Sequence, residues 1–166
     1  MLKWGARIVG GLLALVALIV AGVFGSYVVM MEGHKSKLRN GSQVASTPLG
    51  DIEYATMGEG APRLVIHGMP GGYDQVLISP RLRPKAHEGT QIIALSRPGY
   101  LRTPVSSGET IEEQADLYAA LLDELGLQRV VVMAASGGGP SGLQFAIRHP
   151  ERVEALIMLV PLLPPE

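Results

Sequence analysis

Cysteine is absent from this chain of 166 residues, aromatic side chains make up only 5% of it, and the formal net charge is −1. The lack of cysteine excludes a disulfide framework and carries no information about the compartment. Since no basic cluster is interleaved with aromatic residues, the sequence does not favour nucleic acid as a partner. No metal-ligating cluster or cofactor-binding motif is recognisable either, so we expect no cofactor.

Charged residues are also missing between Ile8 and Met31, a run of about 24 mostly apolar residues. At a helical rise of roughly 1.5 Å per residue, this run exceeds the ~30 Å hydrocarbon core of a bilayer. It is longer than the ~7–15 apolar residues of a cleaved secretory signal, and no A-x-A cleavage site follows. It has no polar face, unlike a core helix of a soluble protein. We expect residues 1–31 to form a retained transmembrane signal-anchor helix, with a cleaved signal as the alternative.

Basic residues flank this run on both sides and specify its orientation only weakly. Lys3 and Arg7 precede it, and residues 35–39 contribute three further cations. We expect the N-terminus inside and the folded part on the outer or periplasmic side of a single-pass membrane protein. Residues 35–39 would then touch lipid head groups, within a polar and flexible tether predicted for residues 32–46.

From residue 47 to residue 166, short apolar strands alternate with helical patterns. Strands are predicted at 52–56, 64–66, 91–95, 130–135 and 153–160. The clearest helix covers 111–125, with a capping box at its start. A second helix is indicated within 76–87, where two prolines disturb it, and a third between Ser136 and His149. Such an alternation predicts a parallel sheet covered on both faces, as in α/β proteins.

The apolar run from Val130 to Ala135 stops at Ser136, which is surrounded by very small residues. A strand that turns at once into a helix forces the residue at the apex into a strained backbone conformation, and bulky neighbours would clash there. Ala134 and Gly138, two positions either side of the serine, meet that demand. The segment therefore predicts a nucleophile elbow of the G-x-S-x-G type, with alanine in place of the first glycine.

A serine hydroxyl is a poor nucleophile unless a base takes its proton and donors stabilise the oxyanion that follows. The backbone N–H of Gly137, at the start of the next helix, is predicted to be one donor. The other is expected from the glycine-rich loop His67–Gly72, which directly follows the strand 64–66. Small residues in that loop would let a main-chain N–H approach a substrate.

Three segments stand in a recognisable order. They are H-G-x-P-G-G at 67–72, S-R-P-G-Y at 96–100, and A-x-S-x-G-G at 134–139 followed by H-P-E-R-V at 149–153. In this order and spacing, from about residue 47 to residue 160, the chain resembles the N-terminal half of an α/β-hydrolase fold protein. The resemblance is to the proline-iminopeptidase-like, esterase-like group of that family.

The resemblance implies a three-layer, mostly parallel sheet of the α/β-hydrolase type, incomplete at its C-terminus. It implies a serine hydrolase that cleaves an ester, amide or peptide bond of a small-molecule or peptide substrate through an acyl-enzyme at Ser136. Met69 and Gly137 would donate the hydrogen bonds to the oxyanion. The supporting loop residues would be His67, Gly68, Gly71 and Gly72. A serine at the elbow argues against the dehalogenase and epoxide-hydrolase branches, which place a carboxylate there.

The family orders its catalytic triad as serine, acid and histidine, so both partners are expected after the elbow. Beyond Ser136 the sequence offers one histidine, His149, and three glutamates, Glu151, Glu154 and Glu166. His149 precedes a proline at a helix end, which favours a structural role. We therefore expect the base and its acid to be missing and hypothesise a truncated hydrolase fragment. A non-catalytic hydrolase-like remnant is the alternative.

Some residues near these motifs admit other interpretations. Gly137, Gly139 and Gly142 match G-x-G-x-x-G after a strand, as in a dinucleotide-binding turn, but the acidic residue expected about 20 positions later is absent. A dinucleotide-binding module is therefore a remote alternative. His67 is expected to stabilise its loop by hydrogen bonds rather than act as a base. Arg97 is expected either to pair with a carboxylate in its loop or to bind an anion, and the sequence does not decide between these.

Overall fold

The computed structural model describes residues 2–78 and 89–162, which fall into two compact units divided after Asn40. The helices and strands in chain order are α1 (Leu2–Asn40), β1 (Gln43–Thr47), β2 (Gly50–Met57), β3 (Ala61–Ile66), α2 (Tyr73–Ile78), β4 (Thr90–Leu95), α3 (Ile111–Glu124), β5 (Val130–Ala135), α4 (Gly139–Arg148) and β6 (Val153–Leu159). The predicted α/β class is confirmed. The helix predicted within 76–87 falls mostly on residues 79–88, outside the described residues.

The first unit is the single helix α1, which is 39 residues long. Its most apolar window, within Val9–Asn40, has a mean hydropathy of 2.6. By length and composition this helix is able to cross a membrane, although a signal sequence or the core helix of a soluble protein meets the same criterion. A long apolar helix is therefore present as predicted, whereas its insertion in a membrane stays a prediction.

The structure differs from the flexible tether predicted for residues 32–46. Helix α1 continues to Asn40, and an ion pair of 2.9 Å joins Lys35 to Glu32 one turn apart. Lys37 and Arg39 lie in its last turn, where cations complement the helix dipole. The isolated Gly33 costs a helix only about 1 kcal/mol and does not end it.

A six-stranded mixed sheet forms the centre of the second unit, in the order β1-β2-β4-β3-β5-β6. Strands β1 and β2 form an antiparallel pair, and β2 is antiparallel to β4. The pairs β3–β4, β3–β5 and β5–β6 are parallel. The carboxyl ends of β3, β4 and β5 therefore share one edge of the sheet, which is where open α/β sheets place their ligand sites.

Helices α3 and α4 pack on each other and on the sheet. Both hydrogen bonds of the predicted capping box at the start of α3 are formed, between Thr110 and Glu113. The apolar face of α3 and the inner residues of the strands build one buried core, which includes Ile52, Leu64, Ile66, Ile93, Leu95, Leu117, Tyr118, Leu121, Leu122, Val132 and Phe145. This core fixes the sheet edge on which the candidate site stands.

Candidate active site

Ser136 occupies a left-handed backbone conformation at the junction of β5 and the helical turn before α4. Its φ is +46°, whereas Ala135 before it is extended, with φ −114° and ψ 136°. For a non-glycine residue the left-handed region costs about 1–2 kcal/mol, so the surrounding structure has to enforce it. The chain reverses from strand to helix at this one residue, as the elbow prediction requires.

Close packing around the elbow requires the small residues that the sequence has there. A Cβ atom on Gly138 would lie 2.5 Å from the carbonyl oxygen of His67. A Cβ atom on Gly142 would lie 2.5 Å from the Cβ of Ala134, so Gly142 makes room for the alanine that replaces the motif's first glycine. Gly139 is likewise closed in, with Pro161 Cβ at 2.6 Å from the Cβ position. Close packing thus accounts for Gly139 and Gly142, two of the three glycines that resemble a dinucleotide-binding turn.

The loop after β3 lies directly against Ser136. A Cβ atom on Gly68 would be 3.0 Å from Ser136 Cβ and 3.6 Å from its Oγ. Beside it, the side chain of Met69 lies against Gly137, with Cγ 3.3 Å from the Cβ position of that glycine. Segments almost 70 residues apart in sequence therefore meet at the serine. Ser136, Gly68 and Met69 line a common pocket of about 340 Å³, which Leu159 and other apolar residues complete.

Gln75, in α2, holds this loop from the other side. Its Oε1 accepts a hydrogen bond of 3.0 Å from the N–H of Gly68, and its Nε2 donates one of 3.1 Å to the carbonyl oxygen of Pro70. The two bonds attach to the residues immediately before and after Met69, so the amide plane of Gln75 fixes the backbone there. Gly71 allows this approach, because a Cβ at that position would lie 3.0 Å from Gln75 Cβ.

His67 is 1% exposed, and both of its ring nitrogens are engaged. Nδ1 lies 2.6 Å from the carbonyl oxygen of Gly68, and Nε2 accepts a hydrogen bond of 2.9 Å from the N–H of Arg97. The rings of His67 and Tyr100 pack edge to face, with 4.8 Å between their centroids. Burial lowers the pKa of His67 to about 4, so the ring is neutral at pH 7. These contacts give His67 the geometry of a loop support.

A buried carboxylate, Glu53 of β2, connects the loop that follows β4 to the sheet. It is 1% exposed and forms an ion pair of 2.7 Å with Arg102, and its Oε2 accepts a hydrogen bond of 2.9 Å from Ser96 Oγ. Ser96 Oγ also accepts a hydrogen bond from the N–H of Tyr73, the first residue of α2. Burial alone would raise the pKa of Glu53, but hydrogen bonds from Arg102, Ser42 and Ser96 lower it below its ordinary value.

Gly72 lies where this network meets the glycine-rich loop. A Cβ atom there would lie 2.5 Å from Leu101 Cδ1 and 2.7 Å from Ser96 Oγ. Sequence reasoning found neither Gln75 nor Glu53. No sequence motif marks Gln75 as a partner of this loop. The alternation of residues in strand 52–56 likewise gives no reason to expect a buried carboxylate.

His149 lies at the far end of α4 from Ser136. The helix is 10 residues long, which puts roughly 15 Å between the elbow and its last turn. Nε2 of His149 lies 2.8 Å from Asp116 Oδ1, and Arg148 makes two hydrogen bonds to the same carboxylate. The imidazole thus joins α4 to α3, away from the serine.

A family model of the alpha/beta hydrolase fold matches residues 64–166. This chain belongs to the α/β-hydrolase fold family. The uncharacterized hydrolase YcgS of Bacillus subtilis is 39% identical over 109 residues, which are 66% of this chain and 37% of that protein. A 2-hydroxy-6-oxo-6-phenylhexa-2,4-dienoate hydrolase of Comamonas testosteroni is 30% identical over 140 residues, 80% of this chain and 47% of that protein.

Solved structures agree with this assignment. An alpha/beta hydrolase fold protein from Nakamurella multipartita superposes with a TM-score of 0.68 at 47% sequence identity, over 72% of this chain and 41% of that chain. The N-acyl homoserine lactonase AidH superposes with a TM-score of 0.63 at 27% identity, over 72% of this chain and 44% of that chain. This chain therefore spans less than half the length of these relatives.

Proposed function

We propose that Ser136 is the nucleophile of a serine hydrolase that cleaves an ester, amide or peptide bond and is attached to a membrane by α1. The observation that supports this most strongly is the positive φ of a serine at a strand-to-helix corner, packed against the glycine-rich loop after β3. Backbone strain of this kind is found where a fold has to present one side chain. Relatives whose names describe hydrolases and a lactonase support hydrolytic chemistry on small molecules.

The proposed reaction uses the backbone as much as the serine. Ser136 Oγ attacks the acyl carbonyl carbon as its proton passes to a base, and the carbonyl oxygen becomes an oxyanion. The N–H groups of Gly137 and Met69 receive this oxyanion, aided by the N-terminus of α4. Collapse of the intermediate breaks the bond to the leaving alcohol or amine, which takes up a proton. Water then attacks the acyl-serine and releases the carboxylic acid.

The base in this scheme is not one of the histidines described around the site. Both nitrogens of His67 are engaged, and its depressed pKa makes it a poor proton acceptor at pH 7. His149 is bound to Asp116 at the distant end of α4. Among residues 2–78 and 89–162, no side chain offers the hydroxyl of Ser136 a proton acceptor. We therefore expect the 166-residue chain by itself to react weakly with a fluorophosphonate probe.

Imidazole supplied in solution can act as the general base, and this allows a test. We expect the rate of fluorophosphonate labelling of the full chain to rise with imidazole concentration, and peptide mass spectrometry to place the label on Ser136. Ser136→Ala should abolish this labelling. Ser46→Ala is the matched control, because Ser46 is an ordinary serine on strand β1 whose hydroxyl is bonded to Asp51; its loss should leave the rate unchanged.

The outcomes of this experiment distinguish a serine nucleophile from a non-catalytic domain. A label on another residue, or no label at any imidazole concentration, contradicts the acyl-enzyme and favours the second candidate function, a non-catalytic hydrolase-like domain. That candidate is motivated by the structural contacts that engage His67 and His149. Robust labelling of Ser136 without imidazole retains the nucleophile but shows that the expected lack of a base is wrong.

The membrane attachment is tested separately from the chemistry. Helix α1 has the length and hydropathy of a span, so we expect the chain to stay with membranes during alkaline carbonate extraction. With the N-terminus inside, protease added to the outer face should digest the second unit and leave α1 protected. Release of the chain by carbonate contradicts the anchor, and protection of the second unit contradicts the orientation.

A further inference from the structure

The guanidinium of Arg97 lies beside the elbow. Its Nη2 is 3.5 Å from the position that a Cβ of Gly137 would occupy, and Met69 Cγ is 3.3 Å from the same point. Arg97 and Met69 thus flank Gly137, whose N–H is one of the two proposed oxyanion donors.

Contacts within the fold hold Arg97 in this place. Its N–H donates to His67 Nε2, which fixes the backbone from which the side chain starts. The guanidinium carbon lies 5.0 Å from the centre of the Tyr100 ring, and Nη2 is 3.4 Å from the hydroxyl of that tyrosine. Stacking on an aromatic ring favours arginine and leaves the edge of its planar donor set available.

The charge of Arg97 has no counter-ion within the described part of the chain. Three other arginines of this unit are paired, Arg102 with Glu53, Arg148 with Asp116 and Arg152 with Asp123, whereas Arg63 and Arg129, like Arg97, have no ion pair among the described residues. For Arg97 no carboxylate lies within 4.0 Å among residues 2–78 and 89–162, and its Nε is buried without a hydrogen-bond partner. A half-buried guanidinium without a counter-ion is costly, and an anion held at its Nη atoms would relieve that cost.

We propose that Arg97 is the receptor for a carboxylate on the substrate, so that the enzyme acts on acyl compounds that also carry a carboxylate group. This inference rests on the proposed function, because a carboxylate site beside Gly137 serves a substrate only if Ser136 is the nucleophile. A planar carboxylate matches the paired donors of a guanidinium. Held beside Gly137, it orients the acyl group with its carbonyl oxygen toward the N–H groups of Gly137 and Met69.

The test measures anion binding and needs no turnover. Full-length chain in zwitterionic detergent micelles is titrated with benzoate and with benzamide, its neutral counterpart, and the amide resonances of Gly137 and Met69 are followed by nuclear magnetic resonance. We expect a saturable shift with benzoate and none with benzamide. Arg97→Gln should weaken benzoate binding at least about tenfold, and Arg97→Lys, which keeps the charge, should weaken it less.

A further variant serves as the control. Arg63→Gln removes one positive charge from the first half of β3 and should leave benzoate binding unchanged, since Arg63 also has a buried Nε but lies away from the elbow. If Ser136 fails to label in the earlier experiment while Arg97 still selects benzoate, the proposed chemistry fails and the anion site stands.

The proposal is overturned if benzamide binds as well as benzoate, if Arg97→Gln binds benzoate unchanged, or if the wild type shows no saturable shift. A loss in Arg63→Gln equal to that in Arg97→Gln also overturns it, since general charge attraction then suffices. Should Arg97→Gln fail to fold, the wild-type comparison of benzoate with benzamide and the Arg97→Lys variant decide the question.

Discussion

Replacing Gly138 by alanine should destabilise the second unit far more than the same change one residue earlier. The new Cβ would lie 2.5 Å from the carbonyl oxygen of His67 and 2.9 Å from both Ile66 Cγ2 and the carbonyl oxygen of Ile66. Two of these three atoms belong to the backbone of a central strand end, which has little freedom to move. Overpacking of this kind costs about 1–3 kcal/mol, and we expect the upper part of that range.

Gly137→Ala is the matched control for this effect. The nearest atoms to its new Cβ are Met69 Cγ at 3.3 Å and Arg97 Nη2 at 3.5 Å, both in flexible side chains. Met69 is 64% exposed and is able to turn away. Since alanine is also favoured over glycine in a helical turn, the net change should be under about 1 kcal/mol.

The assay is urea unfolding of the full chain in detergent micelles, followed by near-ultraviolet circular dichroism of the tyrosines. Gly138→Ala should unfold at a clearly lower urea concentration than Gly137→Ala, with an unchanged slope. Equal midpoints for the two variants would refute the reasoning, because the strand and helix would then not be in the close contact on which the elbow depends.

Three further predictions concern residues around the elbow. Gln75→Leu removes both hydrogen bonds to the loop around Met69 and should slow imidazole-assisted labelling of Ser136 about tenfold. An unchanged rate would show that these two hydrogen bonds are not needed for labelling. Glu53→Gln breaks the ion pair with the partly exposed Arg102 and should cost about 1.5–3 kcal/mol in urea unfolding. Because the folded pKa of Glu53 is lowered, the stabilisation by the wild-type carboxylate should be lost as pH falls through that pKa, and the variant should show no such loss. The folded pKa of His67 is depressed to about 4 from 6.5, so the contribution of the neutral ring to the free energy of unfolding is fully present above pH 6.5. About 3 kcal/mol of that free energy should be lost as pH falls from 6.5 toward 4. His67→Gln should therefore make the free energy of unfolding less dependent on pH in this range.

The elbow was predictable because one local constraint determines several residues at once. A β-branched run, a serine and tiny residues two positions either side of it are all required by the same sharp turn, so the sequence shows the whole pattern. The capping box of α3 is similar, since Thr110 and Glu113 satisfy each other's backbone within four residues. Features of this kind are readable because their partners are close in the chain.

Contacts between distant segments were not predictable in the same way. Glu53 is buried only because Arg102 and Ser96, more than 40 residues away, satisfy its oxygens. Strand β1 was missed because its residues are polar and mostly exposed, so it has no apolar alternation to detect. Composition predicts a tether for residues 32–46, whereas continuation of the existing helix α1 to Asn40 needs no new nucleation.

In the proposed mechanism, Ser136 faces two main-chain donors that hold a negative oxygen. An experimental structure of the chain with Ser136 phosphonylated, prepared with imidazole present, tests it most directly. This mechanism predicts the phosphoryl oxygen at about 2.7–3.1 Å from the backbone nitrogens of both Met69 and Gly137. A phosphoryl oxygen that points into solvent and meets neither nitrogen would contradict it.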